Sequence, residues 1–163
     1  MEALTLHYEK EDLAPNERLD MLEASRWSRD IPFPVLRKMV LFMGVYKLKV
    51  GGTLFSQGDR SQFVVVIMSG EVTVYKEDAK GTPCKIAVLG ANRVLGEMSL
   101  IDGQARSATV RATKSCRVLV LTSHALEQMR ENAPRAWGSV IQKIALSMSQ
   151  KLRATSGKLV DYR

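Results

Sequence analysis

A β-sandwich or β-barrel carrying helices is the fold class that this sequence predicts, on three observations. Between Tyr46 and Leu121 short runs of apolar β-formers are separated by turn signals roughly every 8 to 12 residues. On either side of that region the apolar spacing changes to threes and fours, the helical period. The composition of the 163 residues, 45% hydrophobic and 25% charged with 11 Gly and 5 Pro, is that of an ordinary folded chain able to bury roughly 70% of its unfolded surface. Disordered, collagen-like and coiled-coil classes are excluded by that balance.

The elements follow in order. Residues 1–30 hold eight acids and four bases with little periodic apolar content, so an acidic extension, mobile or partly helical, is expected over residues 1–32. Ile31-Pro32-Phe33-Pro34 stops any helix, because each proline pushes its predecessor out of the α region. Val35, Leu36, Met39, Val40 and Met43 then mark a short amphipathic helix. Turn signals at Gly51-Gly52, Gly58-Asp59, Ser69-Gly70, Lys80 to Pro83, Gly90 to Asn92 and Thr113 to Ser115 divide the β region. Phe63 to Met68 is apolar throughout, as for a strand covered on both faces, and Glu71 to Tyr75 alternates; Ser69-Gly70 between them reads as a tight hairpin. After Leu121, Thr122 or Ser123 can cap a short helix through Arg130, and Pro134 suits a first helical turn. Trp137, Ile141, Ile144, Met148, Leu152, Thr155 and Leu159 form a stripe along a long final helix, part of which is available to a second copy of the chain. The expected organisation is therefore an extension over 1–32, a β unit with short helices over 33–133 and a long helix over 134–163.

Charge is unevenly spread. Residues 1–105 carry 13 Lys and Arg against 14 Asp and Glu, while residues 106–163 carry 11 against 3, so the net charge of +7 belongs to the C-terminal third. These cations are scattered without interleaved aromatics, which fits a solvated basic face or a small anionic ligand better than a nucleic-acid groove. No apolar run approaches the ~18 residues of a membrane span. The first residues lack a positive start followed by an apolar stretch, so a cytoplasmic protein is expected. Cys84 and Cys116 lack disulfide or metal spacing. His7 and His124 are the two histidines, and no HExxH, GxSxG or P-loop is present; no metal and no catalysis are expected.

One stretch interrupts the β alternation. Gly96 permits a positive φ, and Glu97 to Leu100 can form one helical turn whose free N–H groups favour an anion. Arg106, nine residues after Glu97, offers a fork of donors suited to phosphate, and Ser107 adds a hydroxyl. A carboxylate beside a phosphate site makes sense where it accepts bonds from sugar hydroxyls, so phosphate and ribose together point to a nucleotide. The same residues also fit a plain surface turn with a Glu–Arg ion pair.

The cassette Leu95-Gly96-Glu97-Met98-Ser99-Leu100, followed after five residues by Arg106-Ser107-Ala108-Thr109-Val110-Arg111-Ala112, resembles the phosphate-binding cassette of the cyclic nucleotide-binding domain family. A second signature, Leu54-Phe55-Ser56-Gln57-Gly58-Asp59 with Phe63 to Ile67 and Gly70, is also similar, with Phe55 and Ser61 departing slightly from the usual residues. The resemblance covers roughly residues 33 to 160. It implies a mainly β fold with flanking helices, a double-stranded β-helix or jelly roll of about eight strands with a short N-terminal helix and a long C-terminal one. It further implies that Arg106 pairs with the cyclic phosphate, helped by backbone N–H groups of Ser99, Leu100 and Ser107, and that Glu97 and the Gly96 backbone hold the ribose hydroxyl, with Met98 and Ala108 in the same cassette. Lys151 to Lys158 is similar to the long helix of the bacterial activator branch, which implies that Thr155 and Ser156 read adenine across a homodimer formed through that helix. On the Thr-Ser pair the expected ligand is cAMP, ahead of cGMP; cyclic di-GMP and a ligand-free scaffold are the other members' alternatives. Gly157 weakens the helix by about 0.5–1 kcal/mol relative to Ala. A helix-turn-helix would follow in a transcription factor of this branch, and the sequence stops at Arg163, so direct sequence-specific DNA binding is not expected and the output falls to an unidentified protein partner; the alternative is the ligand-binding fragment of a cAMP-responsive transcription regulator, for which that expectation reverses.

Overall fold

The computed structural model describes the backbone of residues 8–160 and side chains as far as Gly157. Leu159 of the expected stripe, and His7, lie outside the residues so described. Fifteen segments of regular structure build two antiparallel sheets and a helical layer. Strand β1 (Tyr8–Glu11) precedes α1 (Pro15–Ala24) and α2 (Phe33–Met39), which runs into a 3-10 turn at Val40–Phe42. The strands that follow are β2 (Gly44–Leu48), β3 (Thr53–Phe55), β4 (Phe63–Ser69), β5 (Glu71–Glu77), β6 (Pro83–Gly90) and β7 (Val94–Leu95). Helix α3 (Glu97–Asp102), β8 (Thr109–Ala112), β9 (Cys116–Thr122), α4 (Ser123–Asn132) and α5 (Pro134–Val160) complete the chain. Among the described residues no helix is long and apolar enough to cross a membrane.

One sheet has the order β1-β2-β9-β4-β7 and the other β3-β8-β5-β6. The unbroken apolar run of β4 is explained by its position between two cores. Val64 and Val66 face the helices with Leu119 and Leu121 of β9. Phe63, Val65 and Ile67 face the space between the sheets with Val118 and Val120. Each parity of these strands therefore serves a different apolar compartment, and polar residues are confined to their ends, at Ser69, Arg117 and Thr122.

Three expectations meet a different arrangement. Ser69-Gly70 is not a hairpin, because β4 pairs with β7 and β9 while β5 pairs with β6 and β8. It is the corner where the chain passes from one sheet to the other. Gly70 has φ +91°, and a Cβ there would stand 2.3 Å from the Ser115 carbonyl oxygen, so the corner needs glycine on both counts. The hairpin is the next one, where β5 and β6 pair across Lys80 to Thr82 and Asp78 anchors the turn by accepting from the N–H groups of Lys80 and Thr82. Second, residues 8–32 are built into the fold. β1 is an edge strand on β2, clamped where Arg117 donates to Glu11 at 2.6 and 2.9 Å, and Leu19, Leu22 and Trp27 are buried under the helices. Sparse apolar residues concealed this, since three buried apolar side chains in a charged segment make no periodic signal. Third, α5 buries Ala136, Val140 and Ile144, with Trp137, Ile141 and Met148 packed at the flanks, so its domain-facing stripe is turned by one residue from the expected one at its start. Leu152 is 68% exposed, and the helix continues through Gly157.

Candidate functional site

Arg106 is the centre of the site. It is 2% exposed, although charged residues seldom enter an interior unpaired. Its guanidinium lies between two rings, 4.1 Å from the centroid of Phe55 and 4.3 Å from that of Phe63. Nη1 donates to the Gly96 carbonyl at 2.9 Å and to Ser99 Oγ at 3.1 Å, and Nη2 donates to the Phe63 carbonyl at 2.9 Å. Its backbone is moored as well, since its N–H donates to the Asp59 carbonyl and its carbonyl accepts from Gly58. The Gly58-Asp59 turn, distant in sequence, thus exists to hold this arginine. Burial pulls the Arg106 pKa down to about 10, against which Tyr8, Asp59 and Glu97 act to raise it. The side chain stays cationic at any neutral pH.

Gly96 joins β7 to α3 at φ 79°, and a Cβ there would meet Arg106 Nη1 at 2.5 Å and the Phe63 carbonyl at 2.7 Å. Glycine is required both by the left-handed backbone and by the arginine packed against it. The turn places Glu97 at the start of α3, 2% exposed. Its carboxylate pairs with the Lys151 ammonium of α5, which also donates to the Val94 carbonyl at 2.9 Å. The expected alternative, a surface Glu–Arg pair, is therefore absent here: Glu97 pairs with Lys151, and Arg106 is held by carbonyls, hydroxyls and rings. Among the described residues Glu97, Ser99 and Arg106 are three of the five buried polar side chains, and all three meet at one place.

That place is a cleft of about 200 Å³ at the edge of the two-sheet core. Gly96, Glu97, Met98 and Ser99 form one wall, and Arg106, Ser107 and Ala108 a second. Phe55, Val74, Leu95 and Val110 make an apolar floor, with Ile86 and Leu89 of β6 beside it. Lys151 closes one side. Leu100 instead turns its side chain into the helical core, leaving its backbone to the cassette. Thr155 and Ser156 do not line this cleft in the single chain; both are exposed, and Thr155 Oγ1 donates to the Lys151 carbonyl at 2.9 Å. A larger cleft of about 330 Å³ between α1 and α2 has no buried charge, so chemistry rather than size singles out the cassette. Lys151 and the apolar Phe55, Val74, Ile86 and Leu89 are residues that sequence reasoning missed as parts of the site. Among the described residues no cluster of three or more His, Cys, Asp or Glu is placed to hold a metal ion.

The model of the cyclic nucleotide-binding domain family matches residues 46–133, which contain the corner, the hairpin and the whole cassette. The chain belongs to that family. The cAMP-activated global transcriptional regulator CRP of Escherichia coli is 27% identical over 127 residues, 77% of this chain and 59% of that protein. The match thus spans about 59% of the length of this curated relative. The crystal structure of a cyclic nucleotide-binding domain from Methylobacillus flagellatus superposes with a TM-score of 0.86 at 23% identity, covering 100% of this chain and 93% of that one. The regulatory domain of Toxoplasma gondii PKA, solved with cAMP, superposes at 0.65 with 17% identity over 80% of this chain and 49% of that one. The two structures establish the shared jelly-roll fold, here with nine strands among the described residues and helices on one face.

Proposed function

We propose that this chain is a cytoplasmic cAMP receptor module that couples nucleotide binding to the position of α5 and so controls a protein partner. The observation that carries the reading is the convergence of the buried Arg106, Glu97 and Ser99 and of the Gly96 turn on one cleft with an apolar floor. A cyclic nucleotide presents the matching groups: a phosphate monoanion for Arg106 and for the unpaired N–H groups of the first turn of α3, a ribose hydroxyl for the Glu97 carboxylate, and a flat base for apolar side chains.

The same cleft argues for a binding module rather than an enzyme. Its one carboxylate is committed to Lys151, and no histidine or second carboxylate lines it to supply acid and base. Lys151 gives the coupling a physical path, because a ribose bound at Glu97 shares the carboxylate that anchors α5. The two arrangements of the helix are then weighted by the ligand's different affinity for each. Exposed Leu146 and Leu152 on α5 fit a homodimer through this helix, which would bring Thr155 and Ser156 of each copy to the rim of its neighbour's cleft to read adenine. Calorimetric titration with cAMP, cGMP and cyclic di-GMP tests the reading. Micromolar or tighter cAMP binding, weaker for the other two and lost in Arg106→Ala, is the expected result; no heat with any of the three in a folded protein overturns it. Sedimentation across a concentration series checks the dimer, with monomer at all concentrations as the contrary outcome.

A further inference from the structure

A second cationic cleft lies behind the first, on the other side of Lys151. It measures about 190 Å³ and opens where the segment after α1, the turn between β6 and β7 and one face of α5 meet. Arg26, Arg93, Lys143 and Lys151 stand on its walls, and no carboxylate does. The Lys143 ammonium donates to the Arg29 carbonyl at 2.6 Å and that of Lys151 to Val94 and Glu97. Arg26, Arg93 and Lys143 have no carboxylate partner among the described residues. Lys151 is already paired with Glu97, so the three remaining like charges repel one another across this small space until a counter-charge enters.

The neutral groups present donors too. Asn92 is held in the left-handed region at φ 68°, its N–H donating to the Ile67 carbonyl at 2.7 Å and its Oδ1 accepting from the Arg26 N–H at 2.7 Å. With that oxygen engaged, the Asn92 amide nitrogen is the part left to give hydrogen bonds. Trp27 forms another part of the wall at 8% exposure, and its indole N–H has no acceptor among the described residues. Such a buried, unmet donor is a standing cost.

We propose that this cleft binds a small phosphorylated anion. Two guanidinium forks, an ammonium and an amide around one concavity match several oxygens on a compact, multiply charged group better than a single carboxylate. The shared wall at Lys151 places this anion one side chain away from Glu97. Occupancy of either cleft therefore bears on the other, and by linkage the effect is reciprocal.

Trp27 makes the test local. In Trp137→Phe it is the sole tryptophan, and its emission is followed while sodium pyrophosphate is added at constant ionic strength. The expected result is a saturable change that weakens at least tenfold when Arg26→Ala and Arg93→Ala are added, and that survives saturating cAMP. An absent or non-saturating change, a response that the two arginine substitutions leave intact, or one that excess cAMP removes overturns the proposal. Equilibrium dialysis of labelled pyrophosphate against the unsubstituted chain and against Arg26→Ala/Arg93→Ala repeats the comparison without touching Trp137. Both arginines are exposed, so neither change disturbs the core.

Discussion

The cassette from Val94 to Ala108 and the C-terminal half of α5 border the same cleft, yet they are secured by opposite means. The cassette is tied from within: Arg106 spans Gly96, Ser99 and Phe63, its backbone is pinned to Gly58 and Asp59, and two glycines in the left-handed region close the turns at each end of α3. Beyond Ile144, α5 is mostly exposed, and its described side-chain bonds to the roll are those of Lys151. In the proposed receptor, fixed geometry is where the ligand groups would sit, and loose attachment is where a response would be read out. A receptor needs both, since a rigid site loses little entropy on binding and a weakly held helix moves for little energy.

Breaking the rigid side gives the largest effect. Arg106→Ala removes the cation and leaves the Gly96 and Phe63 carbonyls unmet; cAMP affinity falls by about 2–5 kcal/mol, at least about thirtyfold, in calorimetry. Gly96→Ala forces a Cβ against Arg106 in a left-handed turn and costs about 2–3 kcal/mol of stability, read in denaturant unfolding as a lower midpoint at unchanged slope. Affinity that survived Arg106→Ala would mean that the cassette is scaffolding and the comparison empty.

Sharpening the loose side takes smaller changes. Lys151→Met strands the Glu97 carboxylate, 3% exposed, and loosens α5; stability falls by about 1.5–3 kcal/mol and amide exchange speeds up along α5 while the strands keep their protection. Thr155→Val leaves stability unchanged, the side chain being exposed, and weakens cAMP by about 1 kcal/mol, roughly fivefold, through one hydroxyl. Equal loss in a protein held monomeric would place that hydroxyl on its own cleft rather than its neighbour's. Smallest is the effect of pH. Arg106 titrates near 10 in the folded protein, below its value in the unfolded chain, so the unfolded chain holds the extra proton only above pH 10; stability from this group rises with pH there and is flat below. Affinity measured from pH 6 to 8.5 is expected to show no titration from Arg106.

The two regions were also unequally legible in the sequence. Gly96, Glu97, Arg106 and the Gly58-Asp59 turn stand out because positive-φ backbone and a phosphate fork demand particular residue types at fixed spacing. The all-β class and the long helix followed from period alone. What stayed hidden depends on tertiary placement. Ser69-Gly70 has the same composition whether a strand turns back or crosses to the other sheet, and the Ser115 carbonyl that decides between them is 45 residues away. β1 is four residues with an acid at each alternate position, and only its pairing with β2 and the Arg117 clamp make it a strand. Lys151 carried no signal of its own, since one lysine among several on a basic helix looks like solvated surface until Glu97 is seen beneath it.

The double-sided character of β4 and β9 bears on how such a helix can move at all. Val64, Val66, Leu119 and Leu121 offer the helical layer a broad greasy plane, and attraction across hydrocarbon has no preferred direction. Helix α5 packs on α2 and α4, and the helical layer so formed rests on that plane, where it can slide with little friction as layers do in a shear motion, whereas rows of hydrogen bonds would lock it into steps. Lys151 then acts as the detent on a smooth slide, one polar catch that indexes the position of a long lever.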